Sequence, residues 1–433
     1  MVSPQAIGAA HRRQGCTLAR IVRIAGIGLV VVVLAVGALV LTRRDTAVVA
    51  APTVAVRGVS ANATNDNGQQ KLARTTDGAL YLAYTASRTG VEQAEVAFSL
   101  DGGENWKPEI VLAQPGVWSA LATVASGPDG RLDAAWVDYS TVGHVWHASK
   151  QAGVWSEPEK ISPGPDYAGY PAMVVEDDGT VEVVWYASAP DETREHGSVY
   201  EIHHTTGVPG SWSPPTILSD TSNDALNPAL TDGPDGTLHA AWFQIVSDTY
   251  VAQHATFSGG AWDDTPEMVS PPGTTATGVA LAVGSDGVVH MVWEQTAGHA
   301  IGVGYSRNEG SGWSPLESLS TTFSEDPVVA LDGDGRVYVL WSQEGRIMGR
   351  VFDGGWSESA DLGRGTNPTV LGGDTVVAAW TAPAGDSNQV VTARLRVESR
   401  GPSRQAVLVA LVLVTTGVAL ALRRGSSGGE VSR

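Results

Sequence analysis

The polar residues that could do chemistry in this sequence fall at recurring positions. Asp138, Gln244, Gln295 and Gln343 each stand two residues beyond a tryptophan. Asn227, Asp326 and Asn367 each stand immediately before a proline, as does Tyr170. Amides and carboxylates gathered around one mouth would hydrogen-bond a hydroxyl-rich ligand. The other use of such groups is to satisfy strand ends and channel waters. Asn227, Gln244, Gln295, Asp326, Gln343 and Asn367 are therefore the binding candidates. The charged stretch 189–196 is a polar loop expected on the same rim. Metal chemistry has less support. His203-His204 has no carboxylate at metal-ligand spacing and the ten histidines are scattered, so no metal site is expected. Asp332-Gly-Asp334-Gly lacks the distal bidentate glutamate of a calcium loop. With no phosphate loop, no cofactor is expected either.

A repeat sets these positions. Pro234-Asp-Gly-Thr-Leu-His-Ala-Ala-Trp242 places a turn dipeptide before an alternating apolar run that ends in tryptophan. Copies run from Asp129-Gly130 to Trp136, Asp178-Gly179 to Trp185, Asp286-Gly287 to Trp293, and Asp334-Gly335 to Trp341. Asp77-Gly78 leads to Tyr84, and Gly373-Asp374 to Trp380. Seven copies at a spacing of about fifty residues are the signature of a repeat architecture. In the fourth unit, 227–231, 237–243, 250–257 and 262–269 read as four antiparallel strands, which describes a propeller blade. The seventh unit stops after its third strand, and 52–59 resembles the fourth strands elsewhere. An N-terminal strand completing the last blade would close the ring and remove its edges. The expectation is an all-β, seven-bladed β-propeller over 51–397, with its second-strand tryptophans packed between blades.

The turn Ser99-Leu-Asp101-Gly-Gly103-Glu-Asn105-Trp106 carries a resemblance. It is similar to the Ser-x-Asp-x-Gly-x-Thr-Trp pattern of the Asp box, or bacterial neuraminidase (BNR) repeat, with Asn for Thr. Ser306-Arg-Asn308-Glu-Gly310-Ser-Gly-Trp313 is a degraded second copy. The region 51–397 thus resembles the sialidase-like propellers. That resemblance implies structural roles for Ser99, Asp101, Gly103 and Trp106, away from the active face. Since sialidases close with six blades, it also offers six as the alternative count. It further implies an alternative activity, exo-sialidase-like glycoside hydrolysis with a divergent site. Such catalysis needs two carboxylates across the mouth, and Glu294 and Asp326 are the candidate pair. The family's three arginines bind a substrate carboxylate, the first in an Arg-Ile-Pro motif. Here the corresponding prolines follow Tyr170, Asn227, Asp326 and Asn367, and none follows an arginine. Recognition of a glycan, envelope polymer or protein partner is therefore the first expectation for function.

Charge and hydropathy place the domain. Of 46 acidic and 27 basic residues, two and ten respectively lie outside 51–400, leaving 44 and 17 within it. An envelope this acidic repels nucleic acid and anionic lipid. Apolar runs at 24–42 and 405–422 are near the length of a bilayer core. The basic N-terminal tail, 1–23, points to a cytoplasmic N-terminus with the propeller on the extracytoplasmic side of the cell membrane and 423–433 returned to the cytoplasm. Cys16 is the only cysteine, so the propeller must hold together without disulfides.

Overall fold

The computed structural model describes residues 45–66, 68–87, 90–194, 197–297, 300–320 and 322–400. The apolar runs at 24–42 and 405–422 and the two tails lie outside these. Among the described residues no helix is long and apolar enough to cross a membrane.

Residues Val48–Val397 form one compact unit of seven antiparallel sheets. Seven blades is the observed count, so the six-bladed alternative falls. Each sheet is a meander from an inner strand on the central channel to an outer strand. In the fourth blade the inner strand is Ala225–Asp232, followed by Leu238–Val246, Thr249–Ser258 and a short outer edge at Ala261–Trp262. The Asp-Gly turns enter the second strands. Asp235, for instance, accepts hydrogen bonds from the Thr237 N–H at 3.2 Å and hydroxyl at 2.6 Å. The seventh sheet orders as Asp45–Val59, Ser387–Arg400, Val377–Ala384, Thr366–Leu371, so its outer strand comes from the start of the described chain.

The core lies between blades. Trp136, Trp185, Trp242, Trp293, Trp341, Trp380 and Tyr84 are fully buried. Trp242 packs with Ala225, Ala240 and Ala255 of its own sheet against Ala172, Val184 and Ile202 of the blade before. Alternation along each second strand puts one face toward each neighbour, so a sheet between two others is apolar on both sides.

A second row of aromatic contacts ties neighbouring blades near the outer edge. The turn tryptophan of one blade lies edge-on to a ring on the third strand of the previous blade. Such pairs are Trp212 on His147, Trp262 on His204, Trp313 on His254 and Trp356 on Tyr305, with centroids 4.9–5.1 Å apart. Trp262 Nε1 donates to His204 Nδ1 at 3.1 Å, which leaves His204 Nε2 to donate to Glu182 at 2.7 Å. These histidines are structural, and among the described residues no His, Cys, Asp or Glu cluster could hold a metal ion.

The Ser99–Trp106 turn is organised by its own side chains. Asp101 accepts from the backbone N–H of Asn105 and Glu104 and from the hydroxyl of Ser99, at 2.8–3.0 Å. Those bonds, the one from the Asn105 backbone foremost, hold its carboxyl well below the usual range. Trp106 Nε1 donates to Gly103 O at 3.1 Å.

Candidate ligand-binding site

The second strands all run toward one end of the ring, where they turn back into the third strands. At this mouth the expected amide ring serves another purpose. Gln244 Oε1 accepts the indole N–H of Trp242 at 3.1 Å, Gln295 that of Trp293 at 2.6 Å, and Gln343 that of Trp341 at 3.1 Å. Residues two apart on a strand share a face, so each amide caps the buried indole before it. Gln244 also donates to Asp220 O at 2.6 Å and is only 2% exposed. Pairing a buried indole N–H thus commits the oxygen of each amide and leaves its Nε2 as the group that could meet a ligand. Asp138 in the second blade accepts the Ser140 N–H at 2.9 Å, closing its own turn.

The residues before proline mark a shared backbone device. Tyr170, Asn227, Asp326 and Asn367 all have positive φ, between 48° and 58°, as do Leu121 at 56° and Gly278 at 53°. Each sits at a register break in an inner strand, so six of the seven inner strands carry a bulge at the mouth. Asn and Asp tolerate this conformation best among residues with a side chain. Asn367 is buried, its N–H taking Ser342 Oγ at 3.0 Å and its carbonyl the Thr64 hydroxyl at 2.7 Å.

Glu294 and Asp326 do come together. Glu294 Oε1 accepts the backbone N–H of Asp326 at 2.9 Å and Oε2 the Thr277 hydroxyl at 3.0 Å. Glu294 thus buttresses the bulge that carries Asp326. Burial, then the neighbouring charges of Glu294, Glu325 and Asp66, push the Asp326 carboxyl up to about 7.

Sequence reasoning missed the floor of this mouth. Residues 60–66 and 68–71, between the closing strand and the first blade, lie across the channel opening as a plug. Thr64 bonds the seventh blade through Thr381 and Asn367. Gln69 Nε2 donates to Leu121 O at 2.8 Å and Pro171 O at 2.7 Å, in the second and third blades. Gly68 passes so close to the fourth blade that a Cβ there would stand 2.9 Å from Pro228 O. The Lys71 ammonium is buried, donating to Gln69 Oε1 at 2.5 Å and Ala122 O at 2.7 Å. Behind the plug the channel encloses about 620 Å³, bounded by Gln69 and Gln70 at this end and by the inner strands.

Asp66 sits in the plug at 7% exposure, and its Oδ2 has no hydrogen-bond partner among the described residues. Burial pushes its carboxyl up against the pull of Lys71, and burial likewise pushes Lys71 down. Beside it begins a band of aromatic rings across the second and third blades. Tyr170 stacks on Tyr186 at 5.1 Å, and Tyr186 meets Tyr167 at 5.7 Å and Tyr200 edge-on at 5.4 Å. Tyr167 shares a hydrogen bond with Tyr139, which stacks under Trp118 at 4.2 Å and 18°. At Gly169 a Cβ would fall 2.2 Å from Tyr167 Oη, so only glycine lets that ring lie there. Burial raises all four phenols Tyr139, Tyr167, Tyr170 and Tyr186, and the Asp66 charge adds to this at Tyr170, which reaches about 12. They stay neutral hydroxyls. Trp118 ends the band half exposed, one face on Tyr139 and the rest open to solvent. The signal was present in the sequence, since five of its ten tyrosines fall between 139 and 200.

Residues 189–194 of the polar loop lie on this rim. Asp191 caps Thr193 at 2.9 Å, and the Arg194 guanidinium donates to Ser222 O in the loop leading to the next blade.

No family model matches this sequence, and no curated protein matches it. Solved structures share the fold. An ulvan lyase of a polysaccharide lyase family, bound to -[GlcA(1-4)Rha3S]-, matches with a TM-score of 0.55 at 11% identity over 83% of this chain and 99% of its own. The polysaccharide lyase Uly1 matches with a TM-score of 0.52 at 10% identity, over 82% and 99%. The α-L-arabinanase of Penicillium chrysogenum, complexed with arabinobiose, gives 0.47 at 12% identity, over 81% and 98%. At these identities the likeness is one of fold.

Proposed function

We propose that this propeller is a glycan-recognition module that takes its ligand at the plugged mouth. The observation that carries the reading is the aromatic band from Trp118 to Tyr170, which ends against the plug carboxylate Asp66. A sugar stacks its C–H face on an exposed ring while neutral phenols and carboxylates hydrogen-bond its hydroxyls. The fold shared with polysaccharide lyases supports the reading, as one of them is bound to an oligosaccharide. The Ser99–Trp106 turn supports grouping the chain with the sialidase-like propellers. Titration calorimetry of the full-length protein in detergent, against neutral oligosaccharides, tests this. Trp118→Ala should weaken binding by about tenfold, or 1.4 kcal/mol, as expected for one stacked ring. Binding indifferent to Trp118, or none across a broad panel, overturns it.

Asp326 favours a second reading, hydrolysis. A carboxyl held near pH 7 beside Glu294 is suited to protonate a glycosidic oxygen. Reducing-end release that disappears in Asp326→Asn moves the assignment from recognition to catalysis.

We further propose that 24–42 and 405–422 anchor the propeller outside the cytoplasmic membrane. Cys16, the only thiol, then faces the cytoplasm. A membrane-impermeant maleimide should leave intact cells unlabelled and react only after permeabilisation; labelling of intact cells overturns the orientation.

A further inference from the structure

We infer that the rim between the sixth and seventh blades holds an anionic group of the ligand, a carboxylate or sulfate, with Arg364 as the guanidinium that contacts it. The inference rests on glycan recognition at the mouth and narrows it to acidic glycans. A cavity of about 580 Å³ lies here, lined by Ala61, Glu344, Arg346, Arg364, Pro383 and Asn388. Its rim is formed by the hairpins at 344–345 and 385–386, which turn second strands into third strands and so face the same way as the aromatic band. Ala61 belongs to the plug segment, so the floor of this cavity continues into the floor of the mouth.

Arg346 and Arg364 are direct register partners on adjacent antiparallel strands. Two like charges so placed repel each other unless something compensates. Arg346 is compensated, since its Nε bonds Asp361. Arg364 is exposed, and among the described residues its guanidinium has no acceptor; its backbone carbonyl accepts the Trp380 indole N–H at 3.0 Å. Among the described residues seven cations of this acidic region pair with a carboxylate, its register partner Arg346 among them, whereas Arg364 lines a cavity. A planar guanidinium fork takes a carboxylate or sulfate through two parallel N–H bonds. Glu344 on the same wall would repel a second negative charge, which limits the site to one anionic group.

The test uses the full-length protein in detergent and matched oligosaccharides that are neutral or carry a single carboxylated (galacturonate) or a single sulfated residue. Wild type should bind at least one acidic ligand more tightly than the neutral one, with an affinity that falls as salt rises. Arg364→Gln should lose about tenfold on that ligand, or 1.4 kcal/mol, while neutral binding is unchanged. Whichever acid shows the loss identifies the anion. Equal affinity for acidic and neutral ligands, or an Arg364→Gln variant that binds like wild type, overturns the inference. A second readout separates it from the broader reading: free galacturonate or inorganic sulfate should slow phenylglyoxal modification of Arg364, followed by mass spectrometry. Protection without any oligosaccharide binding keeps the anion site and discards glycan recognition. Unprotected Arg364 alongside Trp118-dependent neutral binding does the reverse.

Discussion

At the scale of single residues, the mouth concentrates groups whose burial works against their charge. Asp326 is the clearest, since it can be replaced without disturbing its backbone: its φ of 52° is one that asparagine also adopts readily. A carboxyl ordinarily titrates near 4 and this one is pushed up to about 7, so the folded protein holds an extra proton between those values. The sign follows. The contribution of Asp326 to stability is whole below about pH 4, falls as pH rises, and is lost once pH passes about 7. Asp326→Asn should therefore raise the melting temperature at pH 8 and do little at pH 4. An equal shift at both pH values would mean that the carboxylate charge is not what destabilises the fold. The buried imidazoles act in the opposite direction. Burial lowers His254 to about 3 and His290 to about 4, so their contribution is present above pH 6.5 and is lost on acidification. The two sets confine the protein to a middle range of pH.

At the scale of elements, the blade was legible because each of its parts is local. The Asp-Gly turn, the alternating strand and the terminal tryptophan all lie within ten residues, and periodicity exposes them together. The amide positions were legible too, but their bond to the preceding indole was not drawn from the spacing. Trp242 and Gln244 are two apart and share a strand face, so the indole–amide bond follows from spacing alone. The bulges were not foreseen, although a proline follows the positive-φ residue in four of them; Leu121 and Gly278 carry no such mark. The plug was not legible. Residues 60–71 have no period, and their partners Leu121, Pro171, Pro228 and Asn367 are scattered over four blades. Only the closed ring brings those carbonyls together around one opening, and so only the fold reveals Asp66 and the tyrosines beside it. The edge-on pairs of turn tryptophan and third-strand ring escaped notice for the same reason, because each joins two repeats.

At the scale of the whole molecule, seven sheets hold together without a disulfide, so closure of the ring must come from pairing and packing. The strand Asp45–Val59 closes it, and through the segment that follows, it also anchors the plug. Val48 and Val59 are buried, in clusters shared with Leu340 and Trp380 and with Tyr84 and Val390 respectively. Burial of two such side chains, with partial cover of Ala50 and Val56, is worth roughly 3–6 kcal/mol. Deleting 48–59 from the full-length protein removes that contribution and bares the long strand Ser387–Arg400 as an open edge, an invitation to pair with other chains. The thermal midpoint should fall by about 4–8 °C, and size-exclusion chromatography should show oligomers in place of a single species. Ligand binding at Trp118 should weaken along with stability, since the plug that floors the mouth loses its tether. An unchanged midpoint with intact binding would mean that six complete blades and a three-stranded seventh suffice. The plug would then be held by Gln69, Lys71 and their acceptors in the second and third blades rather than by closure.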